Sequence, residues 1–547
     1  MAETTLVPRP AATLILARDA ADGIEIFMLQ RTHTAVFMPG VYVFPGGAVD
    51  PADASEELHA YCRGLDDAAA SRLLGLERGG LSYLVAAVRE CFEEAGLLLA
   101  ESEHGRPLDY AELRARLCAG ELSLADLCRQ YGLRLALDRL AYLAHWITPP
   151  GPPRRYDTRF FVATAPADQL GCHDGKETVA HLWISPEQAL ERHRRGELPL
   201  SSPTIRTIKT LVGFDSTEAL MRHLRAPRPV VVNLPRTGIG RDGPRVFHKG
   251  DPVYAELAKL DPDNTGSAAY EIVPGVVTRL SPRVRRLTAP NPGFMTGPGT
   301  NTYLIGDGDE LAVIDPGPDD DRHLQALLQA CGGRVRWILV THTHMDHSPG
   351  AARLKAATGA EVLGMPPPPY PSQDQSFRPD RVLGHGERLT IGDYTLRAIH
   401  TPGHASNHLC YLLEEEGMLF TGDHIMQGST VVISPPDGDM RAYLDSLMAL
   451  HDLEIAYLAP AHGFLMDEPY AVIDRLVSHR LAREAKVLQA LRSRARGTIA
   501  ELVPLAYDDV PPAVHPLAAR SLLAHLLKLE QEGWARRQDE IWAYVEG

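Results

Sequence analysis

Three things are scarce in this sequence. Seven cysteines among 547 residues (Cys62, Cys91, Cys118, Cys128, Cys172, Cys331 and Cys410) are scattered, odd in number and contain no CxxC pair. That pattern excludes a disulfide framework and a cysteine-rich zinc site, and predicts reduced, mostly buried thiols. No apolar run approaches the ~18 residues that span a bilayer. The opening, MAETTLVPRPAATLILARD, also lacks the basic start and long apolar stretch of a secretory signal. A cytoplasmic chain without membrane contact is expected. Positive charge is the third scarcity: 55 Lys and Arg against 70 Asp and Glu give a net charge of −15. This excludes generic, whole-surface nucleic-acid binding and leaves room for a local basic groove.

What remains is ordinary globular composition, 44% hydrophobic and 23% charged, which excludes wholesale disorder. At ~100–200 residues per domain the length predicts about three to five folded units. The first, residues 1–225, opens with strand-like TLILA and IEIFMLQ around a turn at Asp22 and Gly23, continues through a Gly-rich FPGG turn at 44–47, and reads as helical over 83–100. Residues 226–275, rich in Pro, Gly and Asp, read as a connection with some local order. From 276 to 475 strands alternate with helical stretches, as in LAVIDPG, WILVTH, YTLRAIH, MLFTGD and IAYLAPAH. Residues 476–547 carry helical segments and a closing strand-like hairpin, which fits a winged-helix module.

The strongest chemical signal is THTHMDH at 341–347, directly after the apolar strand WILV. A strand ending in HxHxDH sets His342 and His344 on one side of an extended turn, and Asp346 and His347 follow where the chain bends. Three later segments repeat the design of strand, sharp turn and ligand, ending at His404, Asp423 and His462. Five imidazoles and two carboxylates are enough for two three-ligand sites that share one carboxylate. Imidazole and carboxylate suit Zn²⁺. Two such ions about 3.5–4 Å apart would activate a bridging water and stabilise an oxyanion. His400, His408 and His424 sit beside these positions and are expected to support or pack rather than ligate.

These motifs, with NPGFMTGPGTNTYLIG and LAVIDPG, resemble the metallo-β-lactamase superfamily over about 276–475. The resemblance implies an αββα sandwich with two zinc ions. His342, His344 and His404 would hold the first, Asp346, His347 and His462 the second, and Asp423 would bridge. Within the superfamily the sequence is most similar to the branch of a mitochondrial endoribonuclease whose core also runs into a winged-helix-like tail. That similarity implies single-stranded RNA as substrate, attacked by a metal-bridging hydroxide with Asp346 as the catalytic group that positions the water. A thioester hydrolase acting on acyl-coenzyme A or a glutathione-type thioester is the rival within the same class. The tail has 11 Lys/Arg against 9 Asp/Glu from Arg475 onward. Arg520, His525 and Lys528 on its third helix, with Arg536 and Arg537 in a wing, make phosphate contacts one reading and a packing or dimerisation module the other.

A second signal is RECFEEAGL at 89–97. On a helix, Glu90, Glu93 and Glu94 project to one side. Hard Mg²⁺ or Mn²⁺ gripping a diphosphate needs such carboxylates. Arg89 can orient one of them, and Gly96 can end the helix. RE-x-x-EE-x-G with FPGG resembles the Nudix box, with Asp53 at its usual first glutamate and an insertion lengthening the gap over 54–88. That insertion, with RTHTAVFMPGVYVFPGG and YDTRFFVA, is similar to the branch of peroxisomal coenzyme A diphosphatases. The similarity implies Glu90, Glu93 and Glu94 as ligands, Glu93 and Glu94 also as catalytic groups, and Glu177 as a further candidate. The substrate would be a nucleoside diphosphate-linked molecule such as coenzyme A. The fold expected is therefore multidomain α/β and α+β: a Nudix fold, an αββα sandwich and a small winged-helix-like domain. A two-enzyme hydrolase is the expected function; a nucleotide-sensing binding protein is the alternative of a different class.

Overall fold

Alternation of side chains along RPAATLILARDA settles how the first sheet is built. Leu14 and Leu16 point to one face and Ile15 and Ala17 to the other, and all four are buried. The strand Arg9–Ala20 pairs antiparallel with Gly23–Arg31 and parallel with Tyr156–Thr164. The longest path through this sheet runs Thr178–Ile184, Gly23–Arg31, Arg9–Ala20, Tyr156–Thr164, Ala141–Ile147 and Val232–Asn233. Helix Gly80–Ala95 covers the Leu14 face with Leu84, Val88 and Phe92. Helices Pro186–Arg194, Ser202–Lys209 and Thr217–Arg225 contribute Ala189, Ile208 and Leu220 to the core on the Ile15 face.

The computed structural model describes residues 6–34, 38–102, 108–306, 310–332 and 334–546. Two compact units result, one ending at Pro235 and the other starting at Arg236. No helix among the described residues is long and apolar enough to cross a membrane.

The helix expected over 83–100 starts three residues earlier and stops at Ala95. Gly96 takes φ +71° and caps it, and Leu97, Leu98 and Leu99 continue as buried non-helical chain. Their apolar character, which periodicity assigned to a helix face, serves the core beneath the sheet.

In the second unit two sheets stack face to face. One runs in the order Val277–Arg279, Val284–Thr288, Asn301–Ile305, Leu311–Ile314, Val335–Leu339, Glu361–Gly364, Arg381–Val382. The other runs Arg388–Ile391, Tyr394–His400, Leu409–Leu413, Met418–Gly422, Tyr457–Pro460. Tyr303, Ile305 and Leu339 from the first meet Leu396, Tyr411 and Phe420 from the second in a shared core. Helices Asp321–Cys331 and Gly350–Thr358 cover one outer face, and Met440–Ala449 and Pro469–Arg494 the other. This is an αββα sandwich. The tail follows as helices Ile499–Ala506 and His515–Gln531 and the hairpin Ala535–Gln538/Ile541–Tyr544, packed around Trp542. Helix Pro469–Arg494 runs through the boundary expected at 475, so sandwich and tail share one element.

The stretch read as a connection, 226–275, divides at the unit boundary. From Arg236 it forms the hairpin Arg236–Gly240/Gly243–Phe247 and helix Tyr254–Leu260. Glu256 on that helix accepts two guanidinium bonds from Arg286, at 2.7 and 2.8 Å, with both side chains 1% exposed. A buried, bidentate pair of this kind makes the segment an integral part of the second unit. Its loop-forming composition serves tight turns, not a tether.

Candidate metal centres

Four strand ends of the sandwich converge on one edge. Val335–Leu339 leads into the turn bearing His342, His344, Asp346 and His347; Tyr394–His400 leads to His404, Met418–Gly422 to Asp423 and Tyr457–Pro460 to His462. All seven predicted positions come together. Among the described residues of the second unit they form two groups, His342, His344, His404 with Asp423, and Asp346, His347 with His462, each with its donor atoms within 4.8 Å of one another. His344 Nδ1 lies 2.9 Å from His342 Nε2 and 3.0 Å from His404 Nε2. Asp346 Oδ2 lies 3.3 Å from His347 Nε2 and 3.4 Å from His462 Nε2. Asp423 stands between the groups, with Oδ2 3.7 Å from His404 Nε2 and Oδ1 3.2 Å from His462 Nε2.

These groups fit a pair of cations. His347 Nε2 and Asp423 Oδ1 are buried, 3.7 Å apart, and neither has a hydrogen-bond partner. Burial, with the neighbouring imidazoles, holds His342 well below the usual histidine range and His344 down to about 3, so both present lone pairs. Burial alone would also lower His462, but the Asp423 and Asp346 carboxylates outweigh it and raise it to about 9. His347 is raised as well: burial is outweighed by Asp346, Asp423 and Asp315. A cation entering the second group therefore displaces protons.

Three of the rings are aimed by the bond at the far side. His347 Nδ1 donates to Asp315 Oδ2 at 2.9 Å, His404 Nδ1 to the Val432 carbonyl at 2.7 Å and His462 Nδ1 to the Gly299 carbonyl at 3.3 Å. Asp315 also accepts from Thr341 N and Oγ1, both at 2.8 Å. Thr300 Oγ1 donates to Asp346 Oδ2 at 2.9 Å, and Thr300 N in turn donates to Asn291 Oδ1 at 2.9 Å. His408 Nε2 accepts from the Asp423 amide at 3.2 Å, so His408 supports the site without facing it. His400 Nε2 donates to the Ser406 carbonyl at 2.9 Å, while His424 is buried edge-on to Tyr443. Gly422 has no substitute: a Cβ there would fall 2.6 Å from His408 Nε2, at φ +48°.

A cavity of about 1160 Å³ opens over both groups. Phe294, Met295, Met345, Val432, Pro435 and Leu517 give it apolar walls, and Arg520 stands at its rim on helix His515–Gln531. The basic face expected on that helix is reduced to this one residue. His525 and Lys528 are buried, donating to Glu484 at 3.1 and 2.6 Å, and they lock the helix to Pro469–Arg494. Arg536 and Arg537 are exposed on the hairpin, and the Arg537 guanidinium lies 5.7 Å over Trp542.

In the first unit, Glu90, Glu93 and Glu94 lie along helix Gly80–Ala95. Arg89 grips Asp53 through Nε and Nη2, at 2.8 and 2.9 Å, and Nη1 reaches Glu90 at 3.0 Å and Glu93 at 3.1 Å. Asp53, fully buried, thus performs as arginine partner despite the insertion that separates the two. Glu94 accepts from the Gly46 amide at 3.0 Å, and a Cβ on Gly47 would strike Glu90 Oε1 at 2.4 Å, so FPGG lets the turn lie against the carboxylates. Burial raises Glu90 to about 7 in spite of Arg89, and Glu94 to about 8 in spite of Gly46. Carboxylates so displaced suit a divalent cation, although among the described residues the three do not close into a ligand group of the kind above. Glu177 is exposed; its charge adds to the upward shift of Glu94.

Comparison with known proteins matches this geometry. The description "Metallo-beta-lactamase superfamily" fits residues 295–462, and "Beta-lactamase associated winged helix domain" fits 498–542. The Beta-lactamase-like protein 2 homolog of Drosophila melanogaster is 33% identical over 285 residues, which cover 49% of this chain and 96% of that protein. The chain belongs to the metallo-beta-lactamase superfamily. An Atrochrysone carboxyl ACP thioesterase of Aspergillus chevalieri is 34% identical over 265 residues, 46% of this chain and 82% of that protein. Residues 78–211 match "NUDT19 Nudix domain". A crystal structure of a Nudix hydrolase from Alicyclobacillus acidocaldarius is 33% identical, covers 41% of this chain and all of that one, and has a TM-score of 0.35. The protein is a metallo-beta-lactamase superfamily hydrolase fused to a Nudix-like domain and carrying a winged-helix domain.

Sequence reasoning missed Asp315, Thr300 and Asn291 as individual supports of the metallo-beta-lactamase site. Their signal lay inside LAVIDPG, which reads as a strand, and NPGFMTGPGT, and both carried only the family resemblance. Asp315 also adopts φ +50°, which the sequence reading did not anticipate.

Proposed function

We propose that the metallo-beta-lactamase unit is a dinuclear, zinc-dependent thioester hydrolase whose substrate carries an apolar acyl group. One observation carries this reading: the cavity over the two ligand groups has apolar walls and a single guanidinium, Arg520, at its rim. A nucleic-acid strand presents a charge at every phosphate and calls for repeated cations. An acyl chain on a phosphorylated carrier calls for an apolar wall and one cation. The relatives named as ACP thioesterases support the same class. Five imidazoles and two carboxylates are the donors that Zn²⁺ accepts. When bound, the two ions would polarise the acyl carbonyl and bring the acidity of water toward neutrality. The chain's own part is to aim the rings through Asp315, Val432 and Gly299, to orient the attacking water with Asp346, and to give the acyl chain an apolar wall with Phe294, Met295 and Met345.

Single-stranded RNA is the second reading. It rests on the winged-helix domain, which brings Arg520 to the rim and exposes Arg536 and Arg537. For the first unit the reading is hydrolysis of a nucleoside diphosphate-linked molecule such as coenzyme A. Glu90, Glu93 and Glu94 would hold Mg²⁺ or Mn²⁺, with Glu93 and Glu94 also serving the chemistry.

The deciding experiment offers zinc-loaded protein a series of acyl-coenzyme A thioesters and end-labelled single-stranded RNA, with Asp346→Ala alongside. Thioester turnover that rises with acyl length, a loss of at least a hundredfold in the variant and intact RNA are expected. RNA cleavage without thioester turnover would overturn the thioester reading, and full activity in Asp346→Ala would discard the site.

A further inference from the structure

A further cluster of metal-donor side chains, this one including sulfur, lies in the first unit apart from both centres above. The chain leaves strand Tyr156–Thr164, runs through a loop and returns as strand Thr178–Ile184. Asp174 closes the return. Its carboxylate accepts from the amides of Lys176, Glu177 and Thr178 at 3.1, 3.0 and 2.8 Å, and from Thr178 Oγ1 at 2.7 Å. This folds Cys172 and His173 back onto the strand, where His173 meets His181. The two Nδ1 atoms are 2.8 Å apart, and Cys172 Sγ lies within 4.8 Å of a nitrogen on each ring.

The three donors stand on anchored backbone. Cys172 N donates to the Ala95 carbonyl at 2.9 Å, and Arg114 Nη1 donates to the Cys172 carbonyl at 2.9 Å. The same guanidinium holds the carbonyls of Glu93 and Glu94, at 2.9 and 2.7 Å, at the end of the carboxylate helix. The His181 ring stacks on Phe27 with centroids 5.7 Å apart, which limits its swing. A thiolate and two imidazoles are soft-to-borderline donors; as three protein ligands they leave a tetrahedral ion one position for water.

We propose that Cys172, His173 and His181 bind a zinc ion that pins the loop 165–177 to the C-terminal end of the helix carrying Glu93 and Glu94. The sequence signal is a Cys-His pair with a histidine eight positions beyond the first. It escapes a search for paired CxxC motifs. Cys172 is one of two exposed cysteines, with Cys118, in a chain whose other thiols are buried or half-buried. The chemistry also separates this site from the dinuclear one, whose seven donors include no sulfur.

Cobalt reports that difference. Metal-free full-length protein is titrated with Co²⁺ and then with Zn²⁺, following the near-ultraviolet cobalt–thiolate charge-transfer band. Co²⁺ added beyond what the sandwich ligands take up should raise the band to the intensity of one thiolate-bound ion, and Zn²⁺ should bleach it. The band should vanish in Cys172→Ser, weaken at least several-fold in His181→Gln and persist in Cys118→Ser. Zinc content should fall by one equivalent in Cys172→Ser, while the visible absorption of cobalt on the histidine and aspartate ligands stays. No thiolate band in the parent would overturn the proposal, as would a band that survives Cys172→Ser. Loss of the band in Cys118→Ser would place the thiolate elsewhere, with the same result. Circular dichroism of Cys172→Ser, altered at an exposed side chain, distinguishes loss of the ion from loss of the fold.

Discussion

Replacing Asp315 by asparagine isolates how this protein aims its ligands. Asp315 is 2% exposed and touches none of the donor atoms that face the cations. It accepts from His347 Nδ1 at 2.9 Å and from Thr341 N and Oγ1 at 2.8 Å each. Its φ of +50° is one that asparagine also tolerates, so the backbone is not strained by the change. The amide can still accept from Thr341 N through its oxygen, but its NH₂ then faces His347. To pair with that donor, the ring must give up its Nδ1 proton and keep the one on Nε2, the atom that faces Asp346 and Asp423, so a cation there has to displace the remaining ring proton. Bonds of this kind behind metal-bound histidines are worth about 10–100-fold in affinity, or about 1.4–2.8 kcal/mol. Stepwise zinc titration of the metal-free protein, in a Cys172→Ser background, should show one of the two sandwich equivalents weakened by that factor, namely the one held by Asp346, His347 and His462. The equivalent held by His342, His344 and His404 should move much less. Equal loss at both, or no loss at either, would refute the assignment of Asp315 as the group that fixes the His347 tautomer.

Three further outcomes follow from particular contacts. Arg89→Gln leaves Asp53 buried without its bidentate partner; a loss of about 3–5 kcal/mol is expected in urea unfolding of the first unit, and unchanged stability would refute the clamp. Burial would raise Asp261, but the amides of Thr265, Gly266 and Ser267 outweigh it and hold it below 3.8. Its contribution is therefore complete above pH ~4 and fades as pH falls through the folded value, and Asp261→Asn should flatten the fall in unfolding midpoint below pH ~4 while leaving its slope above that pH unchanged. Arg520→Ala should raise KM for an acyl-coenzyme A about tenfold and leave kcat within about twofold. The same variant should not change KM for a thioester on an uncharged carrier; an equal effect on both would remove Arg520 from carrier recognition.

Much of the site was legible in the sequence because its information is local. His342, His344, Asp346 and His347 share one turn, and His404, Asp423 and His462 each end a strand, so strand-then-ligand patterns place them without knowledge of the sheet order. The supports were not legible, since Asp315 meets His347 across 32 positions and Thr300 meets Asp346 across 46. The same limit explains the tail. Arg520, His525 and Lys528 have a helical spacing compatible with one exposed face, but Glu484 on another helix draws the last two inward. Burial likewise decided the fate of Leu97, Leu98 and Leu99, which extend an apolar pattern past the helix they follow. The local order expected in 226–275 is more extensive over 236–275 than composition suggests, for a related reason. Turn-rich composition does not reveal that Glu256 finds Arg286 across 30 positions.

The two centres balance their carboxylates in different ways, and that difference bears on how each takes a cation. In the sandwich, Asp346 and Asp423 are offset by His347 and His462, whose positive charge is a proton that a metal ion can replace. Removal of those protons leaves lone pairs already directed at the vacated space, because the far nitrogens stay bonded to Asp315 and Gly299. On the helix of the first unit the offsetting charge is Arg89, which no cation can replace, and it already occupies an oxygen of Glu90 and one of Glu93. A divalent ion there must use the remaining carboxylate oxygens and draw its other ligands from water and a bound diphosphate, as Mg²⁺ commonly does. Under the function proposed above, this arrangement of fixed charge favours a tightly held, pre-shaped pair of ions in the sandwich, and in the first unit an ion that enters together with its substrate.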